Sequence, residues 1–583
     1  MLADHSAASF NVDAAVTGGN GMPPQQHSWL VAVSWVAVGW YLVVTVVCMV
    51  GWVQLQRHYS ATPRKSFSPS LRPSQIPHVT IIRPVKGIEP YLYECLASSI
   101  LQDYPRDKLT VYFCIATNDD PAHPVLKQLL EDFPHTDARI FVEEESSDDD
   151  LGPNAKIRNM SRAYSGAKGD IVWIVDCNVW VGKGVCGRMV DRLCGIVDED
   201  GTVDKQYRFV HQMPIVVDVE NEESKTDAER HGLLRPYNTT AETSRLSVSK
   251  QRSLFASIRS MGGGRLEEIF LTSSHAKFYS AINTVLIAPC VVGKSTMFRR
   301  SHLNYFTSPA TSKTRPNPRR PGIDYFSDNI CEDHLIGDCL WKGKQPAKAG
   351  EKWGKHSLLF GDLAIQPVKR MSVKAYIHRR IRWLRVRKFT VLAATLAEPG
   401  TESFLCSTYL ALGLSMLLPR LLPEYSSHQG PWVTFFAVWL ASVTMWAALD
   451  WAIYLKLHSG ATIEADEDTP PFARPLPRSY PATARRPFYQ WFLAWLGREA
   501  LALPIWLCAF YGGSTVVWRD HTFKVGMDMI AREIPNKNIP SNRGSSADLP
   551  NLSKPTSYGT NGSGGVDIRQ RSPIARYPDQ MRN

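Results

Sequence analysis

Two short stretches combine residue types that could act together on a diphosphate-linked substrate. Glu332 and Asp333 are adjacent carboxylates, and later in the chain come Arg379, Arg382 and Trp383. A carboxylate can take a proton from an attacking hydroxyl, and guanidinium groups bind phosphate oxygens in pairs. At i, i+3 and i+4 of a helix the arginines and the tryptophan share one face. The simpler interpretations are a helix start rich in acid and a basic helix on a membrane surface.

Two further carboxylates follow predicted strands. Asp120 lies shortly after a strand predicted over residues 111–116, and Asp176 directly follows one predicted over 171–175. The first could accept hydrogen bonds from a uracil N–H or a ribose hydroxyl. The second could hold Mg²⁺ or Mn²⁺, which take few protein ligands and otherwise bind phosphate oxygens and water. Each is also compatible with an ordinary turn.

Lys156 and His211 complete the candidate set. Lys156, two residues after Asn154, supplies a cation that could reach the same pocket as Asp176. His211 follows a strand predicted over 207–210. A core histidine and an acceptor-site contact are equally good interpretations of it.

The elements that must position these residues have an α/β rhythm. Strands are predicted over 79–82, 111–116, 139–142 and 171–175, with helices over 92–101, 126–133, 159–167 and 333–341. Alternating strands and helices favour a mostly parallel sheet covered on both faces. In such sheets ligands bind beyond the carboxyl ends of the strands, where Asp120 and Asp176 are expected.

Apolar residues are concentrated in separate segments. Residues 29–53 carry no charge and are long enough to cross a hydrocarbon layer of about 30 Å as a helix. Three more apolar segments cover 404–422, 432–456 and 488–517, and the third either crosses or dips in and returns. Basic residues follow the first segment, which predicts a cytosolic domain after it.

Charge and cysteine usage exclude other classes. The net charge is +11, but the basic residues gather beside the apolar segments, which favours anionic lipid or a diphosphate over nucleic acid. The 11 cysteines are scattered singly, so neither a disulfide framework nor a zinc site is expected. A reducing compartment suits them.

We therefore predict six regions. They are a lumenal tail (1–28), a transmembrane helix (29–53), a linker (54–77), a cytosolic catalytic domain (78–390, with inserts at 217–264 and 307–321), a membrane region (391–518) and a polar, largely disordered tail (519–583). Asn238 begins a glycosylation sequon, which a cytosolic domain would leave unmodified.

The order of these motifs is more specific than any one of them. It resembles the D, D, D, (Q/R)xxRW pattern of membrane-bound inverting glycosyltransferases with the glycosyltransferase-A fold, and within them the ceramide glucosyltransferase family. The segments that carry the resemblance are 83–87, 101–105, 119–122, 154–157, 210–214, 332–333 and 379–383.

The resemblance implies a role for each position. Asp120 and Asp176 would bind UDP-glucose, the latter near a divalent cation (Mg²⁺ or Mn²⁺), and Asp333 would be the general base. The other substrate-binding positions would be Lys156, His211, Arg379, Arg382 and Trp383. Charge alone does not separate Glu332 from Asp333; the motif selects Asp333. The second aspartate stands in Asp-Cys-Asn rather than D-x-D, which weakens the expectation of a metal.

The implied activity is inverting transfer of glucose from UDP-glucose to the primary hydroxyl of ceramide, giving glucosylceramide. The expected location is a Golgi or endoplasmic reticulum membrane, with membrane lipid and both substrates as partners. No nucleic acid is expected, and a homo-oligomer is left open.

Three alternatives remain at this point. A processive polysaccharide synthase of the chitin or hyaluronan type also carries R/Q-x-x-R-W but needs a polymer channel. A polyprenyl-phosphate sugar transferase would use a phosphate acceptor. An inactive membrane lipid sensor or scaffold would be expected to lose the third aspartate or the arginine motif, and both are present.

Overall fold

The structure is a computed structural model. It describes residues 28–145, 151–219, 262–309, 319–344, 351–422, 430–476, 485–518 and 521–534. Most of the two predicted inserts lies outside these ranges, as do the Asn238 sequon and the chain beyond residue 534.

The centre of the fold is a seven-stranded sheet in the order β3-β2-β1-β4-β6-β5-β7. The strands are β1 (Val79–Pro84), β2 (Leu109–Ile115), β3 (Ala138–Val142), β4 (Ile171–Val175), β5 (Lys205–Asp218), β6 (Ser295–Arg299) and β7 (Lys352–Val368). Neighbours are parallel except that β6 runs antiparallel to both β4 and β5. Every residue of β1 and β2 is buried, as expected for parallel strands covered on both faces.

Ten helices of the described residues flank the sheet or follow it in the chain. They are α2 (Leu92–Ile100), α3 (His123–Asp132), α4 (Ala155–Ser165), α5 (Val185–Cys194), α6 (Gly263–Thr272), α7 (Ser274–Val285), α8 (Arg300–Thr307), α9 (Glu332–Lys342), α10 (Val373–Thr390) and α11 (Leu392–Ala397). The predicted mostly parallel sheet flanked by helices is confirmed.

The sheet brings the carboxyl ends of β1, β2 and β4 to one edge. β1 pairs in parallel with β2 through Pro84 and Cys114, and with β4 through Ile82 and Ile174. The loops that leave this edge carry Asp120 and Asp176. Parallel topology thus places two candidates from distant parts of the chain at the same edge.

Four helices are long and apolar enough to cross a membrane. They are α1 (Ser28–His58), α12 (Ser403–Leu421), α13 (Pro431–His458) and α14 (Phe488–Tyr511). α1 packs closely on α12 at Gly413, where an added Cβ would lie 2.6 Å from a Val38 methyl carbon. Only glycine allows this approach.

Ionisable residues inside these helices are paired. Asp450 accepts from Lys277 at 2.7 Å and from the Trp495 indole at 2.9 Å. Arg498 lies 2.7 Å from Glu402. Unpaired charge is costly in hydrocarbon, so such residues face protein partners.

The first and last apolar segments have boundaries that differ from those expected from the sequence. α1 continues to His58, beyond the predicted end at residue 53. The segment expected over 488–517 ends as a helix at Tyr511, and a three-stranded sheet follows: β8 (Thr515–Trp518), β9 (His521–Val525) and β10 (Ala531–Glu533). Residues 521–534 are therefore ordered, and the disorder predicted for the tail from about residue 535 concerns residues outside the described ranges. Alternation in so short a stretch gave too weak a signal to predict these strands.

Candidate active site

The acid pair opens α9 and its two carboxylates have different surroundings. Glu332 is buried, with one oxygen 3.2 Å from the Lys156 ammonium and the other accepting from Asn154 at 3.0 Å. Asp333 is half-buried and accepts from the Gly293 amide at 2.7 Å through Oδ2. Burial raises the pKa of Glu332, Lys156 opposes this, and Asp333 adds to it.

Asp176 lies between two ammonium groups. Lys156 is 3.0 Å from Oδ1, and Lys294 is 3.0 Å from Oδ2. Burial alone would raise the pKa of Asp176, but the two lysines outweigh it and hold the pKa well below its usual range. Lys156 also contacts Glu332, and these carboxylates raise its pKa above the ordinary value despite burial. Asp176 and Lys156 are therefore both charged at neutral pH.

Asn154 positions Lys156. As the N-cap of α4, its side-chain oxygen accepts from the backbone amides of Lys156 and Ile157 at 2.9 and 3.1 Å. Its amide nitrogen donates to the Asn329 carbonyl at 2.5 Å and to Glu332. One side chain thus fixes the start of α4 and the approach to α9 together.

Lys156, Glu332 and Asp333 share one small cavity. Its lining combines the charged Lys156, Glu332 and Asp333 with Gly293, Thr296 and an apolar wall. The apolar wall consists of Met160, Ile174, Phe298 and Ile336. An ammonium, a buried carboxylate and a half-buried carboxylate therefore meet in one place.

Asp120 lies in the loop after β2. Its carboxylate accepts from the Gly87 amide at 2.9 Å and from the Ala122 amide at the same distance. Gly87 has φ +64°, a conformation that favours glycine. Asp120 therefore joins the loops that follow β1 and β2.

His211 is fully buried within β5. Its Nδ1 is 2.6 Å from the Tyr279 hydroxyl, and its ring stacks on His356 with centroids 5.6 Å apart. Burial and the neighbouring His356 hold its pKa well below 6.5. His211 does not line the cavity of Asp333, so the acceptor contact remains a prediction.

The arginine motif lies on α10. Arg379 is 3.0 Å from the buried Glu267, and its guanidinium lies over the Trp383 ring at 4.8 Å. Arg382 has no carboxylate within 4 Å in the part of the chain that the structure describes. Burial and the charge of Arg379 lower its pKa to about 10, so it remains charged at neutral pH.

The end of α10 reaches the acid pair. Val386 forms a small apolar cluster with Val516 and Val525, and three further side chains pack against it. These are Ile330, Cys331 and Phe389. The segment that enters α9 therefore packs on the end of α10, the helix that carries the arginine motif.

The small C-terminal sheet supports the same segment. The Ala531 amide donates to the Asp328 carbonyl at 2.8 Å, and the Asn329 side chain donates to the Met529 carbonyl at 2.9 Å. The Asn329 carbonyl also accepts from the Asn154 side chain. Asn329 therefore connects the small sheet to the residues around the cavity.

Three residues of this arrangement were not predicted as site residues: Lys294, Gly293 and Asn329. Lys294 directly precedes β6, a strand that the sequence did not predict. Its only local signal is a lysine after a glycine, which is too common to be informative.

Comparison with known proteins places the chain in a family. The model of Glycosyl transferase family 21 matches residues 40–230 and 251–531. A ceramide glucosyltransferase of Pyricularia oryzae is 47% identical over 86% of this chain and 95% of the relative. Those of Gibberella zeae and Komagataella phaffii are 46% and 33% identical, over 83% and 90% of this chain and 90% and 96% of the relatives. The resemblance stated from the motifs is confirmed, and the chain belongs to glycosyl transferase family 21.

Proposed function

We propose that this chain is a ceramide glucosyltransferase that moves glucose from UDP-glucose to the primary hydroxyl of ceramide. The observation that carries the proposal is the cavity in which Asp333 lies beside the Lys156–Asp176–Lys294 cluster. The relatives named for this activity support the acceptor and the sugar. Four apolar helices in the same chain suit a lipid acceptor.

Asp333 is the proposed general base. Both Glu332 oxygens are engaged by Lys156 and Asn154, whereas Asp333 has one oxygen on Gly293 and the other without a hydrogen-bond partner among the described residues. A base needs an oxygen within reach of the attacking hydroxyl. The acceptor oxygen would attack the anomeric carbon opposite UDP while Asp333 takes its proton. One displacement on an α-linked donor gives a β-glucoside.

The donor diphosphate would lie beside the two lysines. Lys156 and Lys294 place two positive charges at the edge where the strands end, and charge-assisted hydrogen bonds bind phosphate oxygens strongly. Asp176 orients both lysines through these two contacts. Asp120 is proposed to accept from the uracil or ribose.

Arg379, Arg382 and Trp383 are proposed to bind the diphosphate or acceptor from the membrane side. Arg382 supports this most directly, because it is half-buried and has no carboxylate partner in the described ranges. Arg379 is held by Glu267, so its first role is to orient the motif. His211 is proposed to support the acceptor side of the site from the core.

Asp176 is the proposed protein ligand of a divalent cation. The described residues contain no group of three metal-ligating side chains, and both Asp176 oxygens already face lysines. We propose that Mg²⁺ or Mn²⁺ binds together with the donor, with Asp176 as its protein ligand and diphosphate oxygens as the others. When bound, it neutralises charge on the leaving UDP.

The proposal is tested with membranes containing the full chain, labelled UDP-glucose and ceramide, and thin-layer separation of the products. A single glucosylated lipid is expected. A polymer would identify a polysaccharide synthase instead, and transfer to dolichyl phosphate but not ceramide would identify a polyprenyl-phosphate sugar transferase. No transfer to any of them would favour the sensor or scaffold.

The same membranes test the topology. We propose a Golgi or endoplasmic reticulum location with residues 78–390 on the cytosolic side. Peptide mass analysis with and without glycosidase treatment is expected to find Asn238 unmodified. A glycan on Asn238 would place the domain in the lumen.

A further inference from the structure

A short turn after α7 exposes three consecutive apolar side chains. Val285, Leu286 and Ile287 are exposed, and Ile287 is 76% exposed. Single exposed apolar residues are ordinary, but a contiguous group marks a binding surface. Leu286 also has φ +60°, a conformation that bulky residues rarely adopt. The turn holds apolar side chains outward at a conformational cost.

The base of this turn is fixed. The Asn283 side chain donates to the Cys290 carbonyl at 2.9 Å and accepts from the Cys290 amide at 3.2 Å. The same Asn283 oxygen lies 2.9 Å from His356 in the core. Because both ends are pinned, residues 285–289 form a preformed tip, which lowers the entropy cost of binding.

The helix that leads to the tip packs on the end of the first apolar helix. α7 runs beside α1, and Ala276 and Tyr279 share an apolar cluster with Leu55 and Tyr59. Leu55 belongs to the last turn of α1, where a membrane-crossing helix leaves the hydrocarbon layer. The first half of α7 is therefore close to the expected membrane surface, and the tip follows directly at the other end of this helix.

The turn leads directly to the proposed base. Three residues after Cys290, Gly293 donates its amide to Asp333 at 2.7 Å. The charges of Arg387 and Glu398 also act on Cys290, so this segment passes close to the end of α10 and the start of the membrane region. Leu392 and Leu396 of α11, which lie between Arg387 and Glu398 in the sequence, are exposed as well.

We propose that the turn of residues 285–289 inserts into the adjacent lipid leaflet and guides the lipid acceptor to Asp333. The ligand is a neutral lipid with a free hydroxyl and apolar chains, since the tip carries no charge. The packing of α7 on the end of the apolar helix α1 favours lipid over a protein partner. The identity of the acceptor rests on the proposed function, whereas insertion does not.

Insertion is tested by placing a photo-crosslinking benzoylphenylalanine at position 287 in the full chain in membranes. Val203, also apolar and exposed but on a loop of the sheet domain, is the matched control position. Lipid adducts are expected at 287 and not at 203. Adducts only with another protein, or no lipid adduct at 287, would overturn the proposal whether or not the enzyme is active.

Guidance is tested with Ile287→Asp and the control Val203→Asp. Ile287→Asp is expected to raise KM for long-chain ceramide about tenfold, the order expected when one apolar side chain no longer enters hydrocarbon. KM for UDP-glucose and for a water-soluble short-chain ceramide should stay unchanged, as should all values for Val203→Asp. Wild-type kinetics with an unchanged KM in Ile287→Asp would overturn guidance. Absence of transfer by the unmodified chain would instead contradict the proposed function.

Discussion

The side-chain amide of Asn154 lies 3.0 Å from Glu332, although 178 positions separate the two residues. The same side chain caps α4 and so fixes Lys156. One asparagine therefore connects the donor side of the cavity to the acid pair.

Asn154→Ala should lower both stability and turnover. It removes an N-cap, worth about 1 kcal/mol, and leaves the buried Glu332 without its donor, at a cost of about 1–3 kcal/mol. Unfolding temperature in detergent and kcat measure the two effects. Asn154→Ser keeps a capping oxygen and loses the amide donor, so it should retain more stability than Asn154→Ala. Equal stability of both variants would contradict a separate capping role.

Asp333→Asn should abolish most transfer and leave donor binding intact. The asparagine oxygen can still accept from Gly293, but it cannot take a proton, and loss of a general base costs about 10²- to 10⁴-fold in rate. Glucosylceramide formation and UDP affinity are the two measurements. Glu332→Gln is the comparison and should reduce the rate less. Full activity of Asp333→Asn would exclude it as the base.

Lys294→Met should weaken UDP binding. It removes one of two ammonium groups beside Asp176, and a charged hydrogen bond is worth about 1.5–3 kcal/mol, or about 10- to 100-fold in affinity. Lys183→Met is the control, since Lys183 is paired with Asp468 at 3.0 Å outside the cavity. Isothermal titration with UDP distinguishes them. Equal affinities would remove Lys294 from the donor site.

Arg382→Gln and Arg379→Gln should have different effects. Arg382 has no carboxylate partner among the described residues, so its loss should weaken UDP binding about tenfold or more without lowering the unfolding temperature. Arg379→Gln leaves the buried Glu267 unpaired, which costs about 3–5 kcal/mol. Loss of stability with Arg382→Gln and none with Arg379→Gln would reverse the assignment.

Stability should fall as pH decreases below about 6.5, the ordinary histidine pKa. Burial and Lys355 lower the pKa of His356 to about 4, and burial also holds the pKa of His211 well below 6.5. The unfolded chain then binds more protons than the folded chain, so each such histidine reduces the free energy of unfolding by about 1.4 kcal/mol per pH unit between the two values. Unfolding temperatures at pH 7.5 and 5.5 should differ less in His356→Gln. An identical dependence would contradict this account.

The sequence by itself determined the local elements and their order. Buried apolar runs such as residues 171–175 specify strands, uncharged runs such as 29–53 specify apolar helices, and the spacing of Asp120, Asp176, Asp333 and the arginine motif indicates the family. The strand and helix signals are contained within short runs of residues, so local periodicity is sufficient to detect them, and the order of the motifs along the chain is read directly from the sequence.

Only the tertiary structure decided which groups meet. Lys294 reaches Asp176 because β6 pairs antiparallel with β4, and Glu267 holds Arg379 because α6 packs on α10. Tertiary packing also buries His211. Both oxygens of Glu332 are engaged by Lys156 and Asn154, whereas one oxygen of Asp333 has no hydrogen-bond partner among the described residues. Ion pairs between distant residues depend on strand order and helix packing, which no local spacing records.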